Sequence, residues 1–290
     1  MDSIKRKVIN NMNCIKYSVF FIILQVIIVT LILFTLSENK FKSNFKELRQ
    51  TEERICQEGY FYSSETNKCF KKADLKVLLI KDKKAGNKVY DLLKALPFVS
   101  KIVVNHPYAV PKYELDYLSL FDVVLYDTFD SGFYINLTNK KVIETYIKNG
   151  GSFLVTHDRW DEDYGPLELL DCEREKRNYV ESLTRKAKVS EFNHPFFDTY
   201  YDLTNWKVIE IAETHKTYHK IIDRGTNTVK VLMELVVEKE RGIKYDYLLT
   251  NEVGKGRIMY WAAGHSNTIS EDEEKLFMNI FCWLGKIEHQ

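Results

Sequence analysis

The sequence predicts an α/β domain built on a mostly parallel sheet, standing behind a single membrane-spanning helix. Three observations carry that expectation. From Ala73 onward, short apolar runs of strand character alternate with stretches whose apolar residues recur at helical spacing, the pattern of βαβ crossovers. One run, Ser152 to Thr156, is apolar along most of its length, as a strand covered on both faces requires. Upstream, Ser18 to Leu36 is apolar apart from Gln25 and hydroxyl residues, and roughly 19 residues at helical rise cover about 28 Å, enough for a bilayer.

The run is long for the core of a cleaved signal peptide. Although Thr35-Leu36-Ser37 offers small residues for cleavage, an uncleaved signal anchor is the better expectation. Basic residues do not orient it, because Lys5, Arg6, Lys7 and Lys16 before it balance Lys40, Lys42, Lys46 and Arg49 after it. Cysteines do. Cys56 and Cys69 enclose a short, turn-rich, aromatic segment that suits a disulfide loop, and such a loop persists only in an oxidising compartment. Two cysteines without a neighbouring histidine fall short of a zinc site. Asn136-Leu137-Thr138 is an acceptor sequon, which marks Asn136 for glycosylation on the lumenal side. The expected organisation is therefore a cytosolic tail over 1–17, the bilayer span over 18–36, a charged stalk with the small disulfide loop over 37–72, and the α/β domain over 73–290. The domain would lie outside the cell or in the lumen of the secretory pathway, as in a single-pass membrane protein.

Composition narrows the function classes. Lys plus Arg is 42 against 41 for Asp plus Glu, so no net field draws the chain to nucleic acid. An apolar fraction of 45% with 13% aromatic residues supplies a full core.

Within the domain the elements follow in order. Lys76 to Ile80 reads as a strand. Asn87 to Leu96 carries Val89, Leu92, Leu93 and Leu96 on one helical stripe ended by Pro97. Lys101 to Asn105 is a second strand, Tyr113 to Leu120 a short helix, and Asp122 to Asp127 a third strand. Thr138 is placed to cap the next helix, whose apolar positions Val142, Ile143, Tyr146 and Ile147 end at Gly150, a residue suited to the left-handed conformation past a helix end. Ser152 to Thr156 is the fourth strand. Asp161 to Arg174 is acidic, with a helix expected around Leu167 to Leu170, and Lys176 to Lys188 is basic and weakly periodic. Trp206 to Ala212, Thr228 to Val236 and Tyr245 to Asn251 look like strands with hairpin-like connections, so the sheet should gain antiparallel members. A last strand, Ile258 to Ala262, leads to Gly264-His265, and Glu271 to Leu284 forms an amphipathic helix. Cys172 and Cys282 either pair or remain buried thiols.

Ligands of open α/β sheets sit outside the carboxyl ends of strands, which directs attention to His157, Asp158, Arg159 and Trp160 after the fourth strand and to His265 after the last. Asn149-Gly150-Gly151, the strand and His157, together with Gly254-Lys255-Gly256-Arg257, the strand, Gly264-His265-Ser266 and an acidic helix ending in Phe281-Cys282-Trp283-Leu284, resemble the ThuA-like (trehalose utilisation) family of the class I glutamine amidotransferase-like superfamily. Asn193-His194-Pro195 matches a His-Pro pair common between those motifs. The resemblance covers roughly Lys76 to Gly285 and implies a flavodoxin-like sheet with its site at the carboxyl ends. In the amidotransferase relatives a cysteine nucleophile follows the fourth strand and a glutamate completes the triad two residues after the late histidine. Here Thr156-His157 and Asn267 stand at those positions, so glutamine hydrolysis through an acyl-cysteine is excluded.

What remains is His157 and His265 with Asp158. Two imidazoles and a carboxylate either hold a divalent metal such as zinc or act as an acid–base pair on a sugar hydroxyl. The resemblance points to carbohydrate as the ligand class. Arg159 and Trp160 are further ligand-binding candidates, Trp160 by stacking on a sugar ring or, alternatively, as core. His215 and His219 in the later acidic-aromatic region are either site members or solvated loop residues, and His194 reads as a turn residue before Pro195. Two readings follow, a carbohydrate-directed enzyme-like ectodomain and a non-catalytic module that binds glycan or protein.

Overall fold

The computed structural model describes residues 56–81, 87–106, 114–127, 137–156, 173–181, 186–212, 217–223, 228–236, 246–262 and 268–289. The bilayer span Ser18–Leu36, the sequon at Asn136, the helix expected at Leu167 and Cys172 lie outside them. No helix among the described residues is long and apolar enough to cross a membrane.

The core is a nine-stranded mixed sheet. Four strands form as the alternating apolar runs predict: β3 (Leu75–Lys81), β4 (Val99–Asn105), β5 (Val123–Asp127) and β6 (Ser152–Val155). Residues of β3, β5 and β6 are mostly buried, as a strand with both faces covered requires, whereas β4, at the edge of the sheet, is half-buried to exposed. A late strand, β13 (Gly256–Trp261), joins them in parallel beside β6, giving the spatial order β4-β3-β5-β6-β13. Beyond it the sheet turns antiparallel through β12 (Asp246–Val253), β11 (Lys230–Leu235), β8 (Lys186–Val189) and β9 (Val208–Glu210), which is the antiparallel extension expected from the run of late strands.

Helices cover both faces. These are α1 (Lys88–Ala95), α2 (Leu115–Leu118), α3 (Leu137–Lys148) and α4 (Glu271–Leu284). Ser152 and Arg257 are register partners on β6 and β13, and both reach α4: the Ser152 hydroxyl donates to Leu284 O at 2.7 Å, and the Arg257 guanidinium stacks 3.6 Å from the Trp283 ring. Successive residues of a strand alternate faces, so Gly151 and Gly256 point the other way, into α3. A Cβ on Gly256 would sit 2.1 Å from Ile147 O, and one on Gly151 would sit 2.1 Å from the Tyr146 ring. Close approach of α3 therefore requires glycine at both sites. The ion pair of Lys88 with Glu274 at 2.5 Å puts α1 on the α4 face, and α2 packs with α3. Gly150 takes φ +120 at the exit of α3, as its place after the helix predicts.

Two parts differ from the sequence expectation. The basic stretch beginning at Lys176 lies largely in a strand: β7 (Glu173–Glu181) pairs antiparallel with β10 (Thr217–Asp223) as a separate two-stranded sheet, long-range pairing having overridden a local pattern with little periodicity. The second difference is at the amino-terminal boundary. The compact unit runs from Gly59 to Gln290, so the end of the expected stalk belongs to the domain as the hairpin β1 (Tyr60–Ser63) and β2 (Lys68–Lys71). The reason is Phe70, which is fully buried, stacks on Tyr200 with centroids 4.6 Å apart and bridges to His289. Lys68 adds an ion pair with Asp198 at 2.6 Å. Cys56 and Cys69 are disulfide-bonded, as their spacing predicts, whereas Cys282 is a buried free thiol.

Candidate functional site at the carboxyl edge of the sheet

The parallel strands end together. Lys81 of β3 is level with Asp127 of β5, and Val155 of β6 is level with both Tyr126 and Tyr260, so Asp127, Thr156 and Trp261 reach the carboxyl edge at one height. β6 and β13 are direct neighbours there, and they are the two strands whose continuations carry His157 and His265. The imidazoles themselves, with Asp158, Arg159, Trp160 and His215, lie outside the described residues. His219 stands on β10 opposite Tyr179. His194 is a turn residue, as expected: it precedes a 3-10 turn (Pro195–Asp198), and its Nδ1 accepts from Phe196 N at 3.2 Å. Burial pushes its pKa below the ordinary histidine value.

Two buried carboxylates brace this edge, and sequence reasoning singled out neither. Asp127 closes β5 fully buried and accepts a hydrogen bond from the Thr156 hydroxyl at 2.7 Å, while Thr156 N donates to Tyr126 O at 3.2 Å. The exit of β6 is thus fixed one residue before His157. Its signal in the sequence is an acid directly ending an apolar strand, at the position where an open α/β sheet receives its ligand. Nearby, Lys81 Nζ donates to Asn87 Oδ1 at 2.9 Å, tying the end of β3 to the start of α1.

Glu273 is the second. It lies in the first turn of α4, is fully buried, and accepts on Oε1 from the Tyr247 hydroxyl at 2.7 Å and on Oε2 from Ser270 N at 2.9 Å and Ala212 N at 2.8 Å. Tyr247 in turn accepts from Trp261 Nε1 at 3.1 Å. With the Ser270 hydroxyl accepting from Glu273 N, the pair forms a capping box, whose Ser-x-x-Glu spacing is plain in the sequence though its burial is not. Among the described residues no group of three or more His, Cys, Asp or Glu side chains could hold a metal ion.

No protein-family model and no curated protein sequence matches the chain. Solved structures do. The cytoplasmic protein STM1381 of Salmonella typhimurium LT2 is 14% identical over 72% of this chain and 99% of its own, with a TM-score of 0.52. A ThuA-like protein of Bacteroides uniformis is 14% identical over 73% of this chain and 91% of its own, with a TM-score of 0.51. The chain has a ThuA-like fold. At such identities the likeness is one of architecture, and it agrees with the resemblance carried by the two glycine-strand-histidine motifs.

Proposed function

We propose that the chain is a membrane-anchored ThuA-like ectodomain whose carboxyl-edge site takes carbohydrate, with His157 and His265 as the working groups and Asp158 beside them. The observation that supports the reading is the adjacency of β6 and β13 in parallel, with their ends level, because Thr156 and Trp261 then stand side by side, and His157 follows the first by one residue and His265 the second by four in sequence. The strand order is that of the parallel half of a flavodoxin-like sheet, in which ligands lie outside the carboxyl ends. Two imidazoles and a carboxylate suit zinc as a donor set and, without metal, suit proton transfer to and from a sugar hydroxyl. Arg159, Trp160 and His215 are assigned to ligand contact. The anchor rests on the apolar run Ser18–Leu36, and placement outside the cytosol rests on the Cys56–Cys69 disulfide.

A non-catalytic glycan- or protein-binding module is the second reading. It is favoured by Thr156, which stands where the amidotransferase nucleophile would be and whose hydroxyl is spent on Asp127.

The test is metal content and glycan-array binding of the full chain, wild type against H157A/H265A, with circular dichroism to verify folding. Stoichiometric divalent metal and sugar binding, both lost in the double variant, are the expected results. Sugar binding that survives the double variant would overturn the assignment of the histidines and move the function to the binding module.

A further inference from the structure

The two edges of the nine-stranded sheet differ. β9 closes one side with three residues, and its Glu210 amide donates to the Asp272 carboxylate of α4 at 3.0 Å. An edge so short and so covered offers little for another strand to add to. β4 closes the other side with seven residues, and among the described residues no strand pairs with its outer side. It has no proline and a single charge, Lys101, and it runs in regular register with β3 from Lys101 to Asn105. Its centre, Ile102-Val103-Val104, is β-branched throughout, with Ile102 and Val103 half-buried and Val104 46% exposed. Those are the properties of a strand that accepts a neighbour. The neighbour that fits is a second β4. Antiparallel pairing about a two-fold axis at Val103 sets Val103 against Val103, Ile102 against Val104 and Val104 against Ile102, all apolar cross-strand pairs. Lys101 then meets Asn105 of the second copy instead of its own counterpart, so no like charges stand opposed.

We propose that β4 is the interface of a homodimer, in which two sheets join edge to edge through antiparallel β4 strands centred on Val103. The contact is isologous and closes at two copies. β3 and β5 separate β4 from β6, so the joined sheet leaves the carboxyl edge at β6 and β13 open, and the pairing does not depend on what binds there. The two β4 strands run in opposite directions, so the two chains enter their compact units from opposite ends. Residues 37–58 extend to roughly 75 Å at most, several times the length of β4, which allows both copies to stand on one membrane.

The experiment is sedimentation equilibrium of the full chain in a density-matched detergent, wild type against V104K, together with oxidative trapping of V103C and S100C; circular dichroism verifies that each variant folds. Wild type is expected to dimerise with concentration. Val104 is exposed, so a single unit tolerates lysine there, but in the pair the charge falls opposite Ile102 at two symmetry-related places. The dimer dissociation constant should rise about tenfold. Val103 meets itself across the axis with Cα atoms about 4.5–5.5 Å apart, within reach of a disulfide, so mild oxidation should capture V103C as a covalent dimer. Two copies of S100C would stand about 20 Å apart and should cross-link no more than wild type. A dimer that V104K leaves intact, or S100C trapped as readily as V103C, would place the contact elsewhere on the chain and overturn the proposal. A wild-type chain that stays monomeric, with V103C untrapped, would overturn it as well and leave the edge to a strand from another protein.

Discussion

Replacing Phe70 by alanine tests whether the disulfide hairpin is part of the folded unit or an appendage to it. Phe70 is fully buried, stacks on Tyr200 at 4.6 Å, lies 5.6 Å from Phe61 and meets His289 across an isolated bridge. Emptying such a site costs about 3–5 kcal/mol when the surroundings relax only partly, and the lost aromatic pairing falls within that range. About 4 kcal/mol is therefore expected. Equilibrium urea denaturation of wild type and F70A, followed by tryptophan fluorescence, measures it: the midpoint should fall with the slope nearly unchanged. The hairpin sits where the sequence alone reads a stalk, so the alternative outcome is well defined. A loss below about 1 kcal/mol is what an exposed, loosely attached residue gives, and it would refute the inclusion of the hairpin in the core.

Three further outcomes follow from other contacts. Reductant should destabilise the oxidised protein by about 3 kcal/mol, the loop-closure value for a short ring, while a C56S/C69S variant should be indifferent to it; the bond is that between Cys56 and Cys69. G256A should lose about 3 kcal/mol or more in thermal unfolding, because the new methyl meets backbone oxygens of Ile147 and Gly151 at 2.1 and 2.2 Å; a melting temperature near wild type would show that α3 is not seated against that strand. The pH profile of stability should fall on the acid side. Burial holds the folded pKa of His194 below its unfolded value of about 6.5, so its contribution is present above that pH and is lost as pH drops through the folded value. H194N keeps an acceptor for Phe196 N and removes the titration, so it should flatten that limb in part, His289 being shifted the same way by burial.

The elements that the sequence discloses are those whose burial is written locally. Leu75 to Lys81, Val123 to Asp127 and Ser152 to Val155 are apolar because both faces are covered, and α4 shows its stripe and its Ser270–Glu273 box in plain spacing. β7 and β10 are not legible in this way, since Glu-Arg-Glu-Lys-Arg and Thr-Tyr-His-Lys take strand form only by pairing with each other across intervening chain. The hairpin escapes for a related reason: the few aromatic residues of a short, turn-rich stretch give no period, and only Tyr200 and His289, far along the chain, reveal what Phe70 packs on. At the site, the rule that polar groups past strand ends matter leads to the exits of β6 and β13 and to their adjacency. It does not lead to Tyr247 or Glu273, because a buried carboxylate and a solvated one are spelled alike, and the donors that make the difference are distant in sequence.

The end of β2 has a consequence for handling this protein. Lys72 N donates to Gly59 O at 2.8 Å and Lys71 N to Glu288 O at 3.0 Å, so one short strand separates the place where the chain enters the compact unit from the place where it finishes. Both ends thus emerge on the side where β3 begins, away from Asp127 and Thr156. A surface tag or fusion partner joined at either end should leave the far side of the sheet accessible to large ligands, and the unit from Gly59 onward is geometrically suited to insertion into a loop of a host protein or to circular permutation.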